Sequence, residues 1–311
     1  MKEAKDVVHE HYSKVATSQV SEAYAATLAK SAGYKEEELK QIPKEASLGL
    51  GCGNSVSAAD LKPGEYILDL GCGAGMDLFL AASKISPTGK AFGVDFSEDM
   101  IKKGKEIQAK NSIKNVEFIH SPIEVMPFQE NTFDVVISNC VLNLVPDKNK
   151  AFKEIVRVMK PKGRFIVSDI VRKKDYPEDL KSDLISITTC IGRAITFEEY
   201  KNGLINAGLE NISMVDVKKD LNERFRLNPE APSNPQTNED APNCETCSSK
   251  PQKACCSKLQ EACCSKPQEA CFSKPQKACC GGGAQEPVPS AVLKYDLNEY
   301  ACSCLIKGYK K

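Results

Sequence analysis

Surplus charge of either sign is absent from this 311-residue chain: Lys plus Arg and Asp plus Glu both number 42. With no net field there is no long-range attraction for nucleic acid or an anionic membrane, and a small or neutral substrate suits the balance better. Long apolar runs are missing as well. None reaches the length of a membrane span, and the opening Met1-Lys-Glu-Ala-Lys-Asp6 lacks the apolar stretch of a signal peptide. The expected compartment is the cytoplasm, and the expected state is a monomer. Histidine is scarce: only His9, His11 and His120 occur. None sits in a partnered motif, so all three read as structural or solvated, and chemistry that needs an imidazole base has little to draw on. Cysteine, in contrast, occurs 15 times. In a reducing compartment such thiols serve as ligands or redox groups rather than staples.

Residues from about 5 to 42 carry helical spacing, with Val7, Val8, His11, Tyr12 and Val15 recurring, and read as a cap over a site. From Tyr66 short apolar runs alternate with helical segments. That pattern predicts a mainly parallel sheet with helices on both faces. Strands are expected at about 66–70, 91–95, 116–120, 134–138 and 164–169, and helices near 76–84, 98–110, 148–159 and 196–207. The last helix opens with the capping box Thr196-Phe-Glu-Glu199. Strand periodicity returns at 212–217 and 300–308, and these two runs are able to pair as an antiparallel edge, giving seven strands in a Rossmann-like α/β sheet.

Between them the composition changes. Residues 250–280 hold a four-fold octapeptide repeat of the type Lys266-Pro-Gln-Glu-Ala-Cys-Phe-Ser273, mostly with a Cys-Cys pair, and nine cysteines fall between Cys244 and Cys280. A unit this short and this poor in large apolar side chains cannot offset its ordering entropy, so disorder is expected until something binds the thiols. The chain thus divides into a helical cap with a first loop over 1–55, a core over 56–227, a Cys-rich insertion over 228–290 and a returning strand over 291–311. Cys302 and Cys304 share one face of that strand, with burial as their expected role.

Ile67-Leu-Asp-Leu-Gly-Cys-Gly-Ala-Gly75 places a glycine-rich turn after a strand and before a helix, where backbone and helix N–H groups approach a ligand closely. The next strand ends at Asp95, about 20 residues on, where a carboxylate accepts from ribose hydroxyls. The turn departs from the G-x-G-x-x-G of dinucleotide enzymes, which makes a nicotinamide cofactor the weaker reading. Cys140 follows Asn139 beyond the run Asp134-Val-Val-Ile-Ser138. Ligands of open α/β sheets bind beyond the carboxyl ends of strands, so this thiol faces a ligand or, as cysteines often do, packs as a small hydrophobe.

Asp69-Leu-Gly-Cys-Gly-Ala-Gly75, Gly93-Val-Asp95 and Met159-Lys-Pro-Lys-Gly163 resemble the class I S-adenosylmethionine methyltransferases over about 60–220. That resemblance implies Asp69, Gly71, Gly73 and Gly75 beside the methionine moiety with Asn139 near them, Asp95 on the ribose, and Phe96, Ile123 and Glu124 around the adenine. Within that family, Leu48-Gly-Leu-Gly-Cys-Gly-Asn54, Ser138-Asn-Cys-Val-Leu-Asn-Leu-Val-Pro-Asp-Lys148 and Cys190-Ile-Gly-Arg-Ala194 are similar to the arsenite methyltransferases. The resemblance implies that Cys52, Cys140 and Cys190 hold As(III), supplied free or as a thiol conjugate. It also implies a reductant such as glutathione or thioredoxin. Chemistry makes the same demand: a soft metalloid prefers thiolates, and three of them leave its lone pair free as the nucleophile, so no general base is needed. Many members carry a further cysteine in the N-terminal helices, and residues 1–51 here contain none. Two other readings stand beside this one: a quinone- or sterol-type methyltransferase with the same cofactor site, and a soft-metal buffer acting through the Cys-rich segment.

Overall fold

The computed structural model describes residues 4–18, 21–226 and 290–311. The octapeptide repeats and the insertion that carries them lie outside the described residues.

Seven strands form one sheet in the order β3-β2-β1-β4-β5-β7-β6. They are β1 (Tyr66–Leu70), β2 (Lys90–Asp95), β3 (Val116–His120), β4 (Phe133–Asn139), β5 (Met159–Arg172), β6 (Leu209–Asp216) and β7 (Ala301–Lys310). The first five run parallel; β7 enters between β5 and β6 and is antiparallel to both. The expected antiparallel pairing of the last two runs is therefore present, and it also ties them to the parallel core. The helices are α1 (Ala4–Thr17), α2 (Glu22–Ser31), α3 (Glu36–Leu39), α4 (Ser55–Ala58), α5 (Met76–Ile85), α6 (Glu98–Lys110), α7 (Lys148–Val158), α8 (Glu178–Ser182), α9 (Leu184–Thr188), α10 (Phe197–Ala207), α11 (Glu223–Arg226) and α12 (Leu297–Tyr300).

Successive strand residues point to opposite faces, so each buried strand feeds two cores. Ile67, Val135, Ile137 and Ile166 pack with Leu78, Ala81, Met100 and Phe118 on one face. Leu68, Val136, Phe165 and Val167 pack with Phe152, Ile155, Tyr200 and Leu204 on the other. Each such Leu, Ile or Phe contributes roughly 1.5–3 kcal/mol through burial. The capping box of α10 forms as read: Glu199 N donates to Thr196 Oγ1 at 3.2 Å, and Thr196 N donates to Glu199 Oε2 at 2.8 Å. Cys302 and Cys304 are buried in the second core, their sulfurs 3.5 Å apart.

The chain order reverses between β1 and β4, which lie side by side. A crevice at the carboxyl ends of two such strands is where open α/β sheets bind ligands. Here those ends are Gly71 and Cys140. No helix among the described residues is long and apolar enough to cross a membrane.

Candidate active site

A cavity opens at this reversal point. Asp69, Gly71, Gly73, Asp95, Phe96, Ile123, Glu124, Asn139 and Cys140 all line it, and Val8, Tyr12 and Tyr34 of the N-terminal region close it from above. The cap read from residues 5–42 therefore reaches the site.

Gly75 is the exception among the turn glycines, because it lies outside the cavity lining. Its φ is +99°, and a β-carbon there would sit 2.6 Å from the Phe118 ring. It lets α5 start sharply and pack on the sheet, which is a structural rather than a contact role. Cys72 packs too, with its sulfur against the backbone of Gly93.

Asp69 is 2 % exposed, and its Oδ2 has no hydrogen-bond partner among the described residues. Burial first, and then the nearby negative charge of Asp77 and Asp95, push its carboxyl well above the usual carboxylate range. An unpaired buried carboxylate is costly unless a cation meets it, so this oxygen marks a place for an ammonium or sulfonium group. Asp95 is held from below: Gly73 N donates to Oδ2 and Ser97 N to Oδ1, both at 2.9 Å. Burial raises its pKa while these two bonds oppose the rise. The remaining lone pairs face the cavity and suit hydroxyl donors.

Asn139 spends its side chain on the protein. Its Oδ1 accepts from Cys52 N at 2.8 Å, and its Nδ2 donates to Gly53 O at 2.7 Å, to Tyr34 Oη at 2.9 Å and to Asp77 Oδ2 at 3.1 Å. Tyr34 in turn donates to Asp77 Oδ1 at 2.5 Å. One amide thus fastens the 48–54 loop to the end of β4 while also lining the cavity. The loop is pressed tightly onto the sheet, since a β-carbon at Gly53 would lie 2.6 Å from Ser168 Oγ. Sequence reading missed Tyr34 and Asp77; the position of Asp77 in the first turn after the glycine loop was the signal available.

The three cysteines meet at this point. Cys52 and Cys140 are joined by a disulfide across Cα atoms 5.7 Å apart, and the Cys190 thiol donates to the Cys140 carbonyl at 2.6 Å. All three are buried. Cys140 and Cys190 hold φ of +60° and +69°, in a region where a β-carbon costs about 1 kcal/mol or more. Strain of that kind persists only where surrounding contacts impose it. Asp169, at the carboxyl end of β5, lies beside them: its carboxylate oxygen and the Cys140 and Cys190 sulfurs are within 4.8 Å of one another. Burial pushes its pKa up to about 7. It too was missed, although the strand expected over 164–169 ends on it, close to where the rule that singled out Cys140 looks. His120 Nε2 donates to the Phe96 carbonyl, 2.9 Å away, and His9 packs edge-on against the Phe96 ring.

Residues 61–208 match a protein-family profile described as a methyltransferase domain. The arsenite methyltransferase of Halobacterium salinarum is 37% identical over 240 residues, covering 72% of this chain and 61% of that protein. The arsenite methyltransferase of Mus musculus is 32% identical over 176 residues, 53% of this chain and 46% of that protein. This chain therefore spans about three fifths of the first relative's length and under half of the second's. Among solved structures, phosphoethanolamine N-methyltransferase 2 of Haemonchus contortus, in complex with S-adenosyl-L-methionine, shares the fold. Its TM-score is 0.55 at 19% identity, over 84% of this chain and 53% of that one. Residues 61–208 therefore match a methyltransferase domain with the class I methyltransferase fold, and the chain is similar to arsenite methyltransferases.

Proposed function

We propose that this protein transfers methyl groups from S-adenosylmethionine to trivalent arsenic held by Cys52, Cys140 and Cys190. The observation that carries the reading is the convergence of these three buried cysteines at the mouth of a cavity suited to the methyl donor. The donor fits the residues present. Asp69 offers an unpartnered buried carboxylate for its cationic end, Asp95 offers free lone pairs for ribose hydroxyls, and Phe96 with Ile123 and Glu124 offers walls for adenine. When bound, it supplies a methyl group on a positive sulfonium, already an activated electrophile.

The protein's own residues then have two tasks. Asn139 fixes the Cys52 loop against Cys140, and the α9 turn brings Cys190 to the same place, so three thiolates hold arsenic with its lone pair free. Holding reactants in line is worth several kcal/mol of barrier without any proton transfer, which accords with the absence of a placed histidine base. With the donor bound, the free arsenic lone pair would form the new As–C bond while the C–S bonding pair stayed with the donor's sulfur. Arsenic is thereby oxidised by two electrons, which two thiols return as they close to a disulfide. Cys52 and Cys140 are already paired in that way, so an external thiol reductant such as glutathione or a thioredoxin must open the site before arsenic enters.

The test is incubation with arsenite, S-adenosylmethionine and a thiol reductant, with methylarsenicals as the readout. Product is expected with the reductant and not without it, and Cys140→Ser and Cys190→Ser should each lower the rate at least 100-fold. Methylarsenicals still formed by both variants would rule out the three-thiol mechanism, and their absence with the reduced parent would leave a quinone- or sterol-type substrate as the better reading.

A further inference from the structure

Asp169 is not explained by arsenic chemistry. A carboxylate oxygen is a hard ligand with little affinity for a thiophilic trivalent metalloid, yet this one lies within 4.8 Å of the Cys140 and Cys190 sulfurs. We propose that the reduced pocket also binds a divalent cation of the zinc type through Cys140, Cys190 and Asp169, and that such a cation competes with the metalloid for the two thiolates. The cation site rests on the placement of these side chains, and only its competition with the metalloid rests on the arsenic reading.

Zinc and its congeners take sulfur and oxygen ligands together, at roughly 2.3 Å and 2.0–2.2 Å in tetrahedral geometry. Ligand atoms around such an ion lie about 3.5 Å apart by that geometry, so a group spread over 4.8 Å needs only a small closing movement. All three residues are buried. Two thiolates and a carboxylate in such a place repel one another, and a dication offsets that repulsion.

The carboxylate is also oriented as a ligating carboxylate is. Oδ1 accepts from Asn143 Nδ2 and from Ile170 N, both at 2.9 Å, and Oδ2 accepts from Tyr200 Oη at 3.2 Å. Outer bonds of this kind hold a metal ligand in one direction and commonly govern affinity by one to two orders of magnitude.

Binding requires the Cys52–Cys140 disulfide to be opened. A phosphine does this by taking oxygen from water to become the phosphine oxide, while two protons and two electrons go to the sulfurs. The cation then forms two metal–sulfur bonds and one metal–oxygen bond. The thiol protons, with any proton Asp169 carries, pass to solvent.

Cobalt(II) is the probe, because thiolate ligation gives a charge-transfer band in the near ultraviolet. The full-length chain is used with its nine cysteines from Cys244 to Cys280 changed to serine, reduced with a phosphine, so that the repeats do not contribute. One cobalt per chain is expected. Cys190→Ser should cut the band by half or more at equal cobalt, and Asp169→Asn should weaken cobalt binding at least tenfold while arsenite binding, measured by ultrafiltration, changes less than twofold. Asp169→Asn keeps the size and the acceptor to Asn143, and Cys190→Ser examines the same site independently of it. The proposal is overturned if no band forms, if the band is undiminished in Cys190→Ser, or if Asp169→Asn binds cobalt as tightly as its parent. Equal loss of cobalt and arsenite in Asp169→Asn also overturns it, because the carboxylate would then only position the thiols. A failure of arsenic methylation leaves the cobalt outcomes readable.

Discussion

Asp69 carries a cost in the ligand-free chain that its partner should relieve. Its unfolded pKa is near 3.9, and burial raises the folded value well above that. Between the two values the folded state binds more protons than the unfolded one, so stability falls as pH rises through that window and stays reduced above it. Asp69→Asn should remove this loss. Urea unfolding of the ligand-free variant should show greater stability than the parent at pH 7–8 and little difference at or below about pH 3.9. Binding of S-adenosylmethionine, followed by calorimetry, should weaken at least tenfold. A variant that is no more stable at neutral pH would contradict the account of Asp69.

At this scale the cysteines of the site and the cavity residues Asp69 and Asp95 were legible, because their neighbours in sequence form motifs. The left-handed backbones of Cys140 and Cys190 were not, since nothing local in Ser138-Asn-Cys140 or Thr189-Cys190 demands them. Asn139 is placed near the cofactor by the resemblance, and its second task, holding the Cys52 loop, is not legible in sequence. Its bonds to the Cys52 loop come from a segment 86 and 87 residues away, which local pattern cannot reveal.

Among the elements, α9 decides where Cys190 lies. Asp183 caps it, accepting from Ser186 N at 2.9 Å through Oδ1, and its Oδ2 accepts from Ser290 Oγ and Ala291 N at 2.8 Å each. One carboxylate therefore starts the helix that leads into Cys190, two residues past its end, and anchors the chain where it returns after the insertion. Loss of such a cap costs about 1 kcal/mol, and more where further bonds go with it. For Asp183→Ala we expect a lower unfolding midpoint and a raised KM for the arsenic substrate, with affinity for S-adenosylmethionine unchanged within about twofold. Equal weakening for both ligands would mean that α9 does not act through Cys190. Neither α8 nor α9 was anticipated, because each has only five residues and no full period of apolar spacing. The strands and long helices were found to within a few residues. Strand β5 was the poorest match in length, since it runs from Met159 to Arg172 where only 164–169 was expected. Its first residues pair with Phe133 across a register shift that the Lys-Pro-Lys-Gly turn conceals in sequence.

For the whole molecule, the parallel sheet and its two helical faces followed from the alternation of apolar runs. The return of the chain to insert β7 between β5 and β6 depended on matching two short runs across more than eighty residues. Strand order then explains function, for the reversal between β1 and β4 sets the glycine turn against Cys140. From one side the 48–54 loop brings Cys52 to that thiol, and from the other the α9 turn brings Cys190. The central claim is that these three sulfurs hold one arsenic atom. X-ray absorption at the arsenic edge tests it most directly, on the reduced full-length chain with Cys244 to Cys280 as serines and one equivalent of arsenite. The account predicts three sulfur neighbours and no oxygen in that chain, and two sulfurs with one oxygen in Cys190→Ser. Three sulfurs that persist in Cys190→Ser, or oxygen in the first shell of the parent, would contradict it.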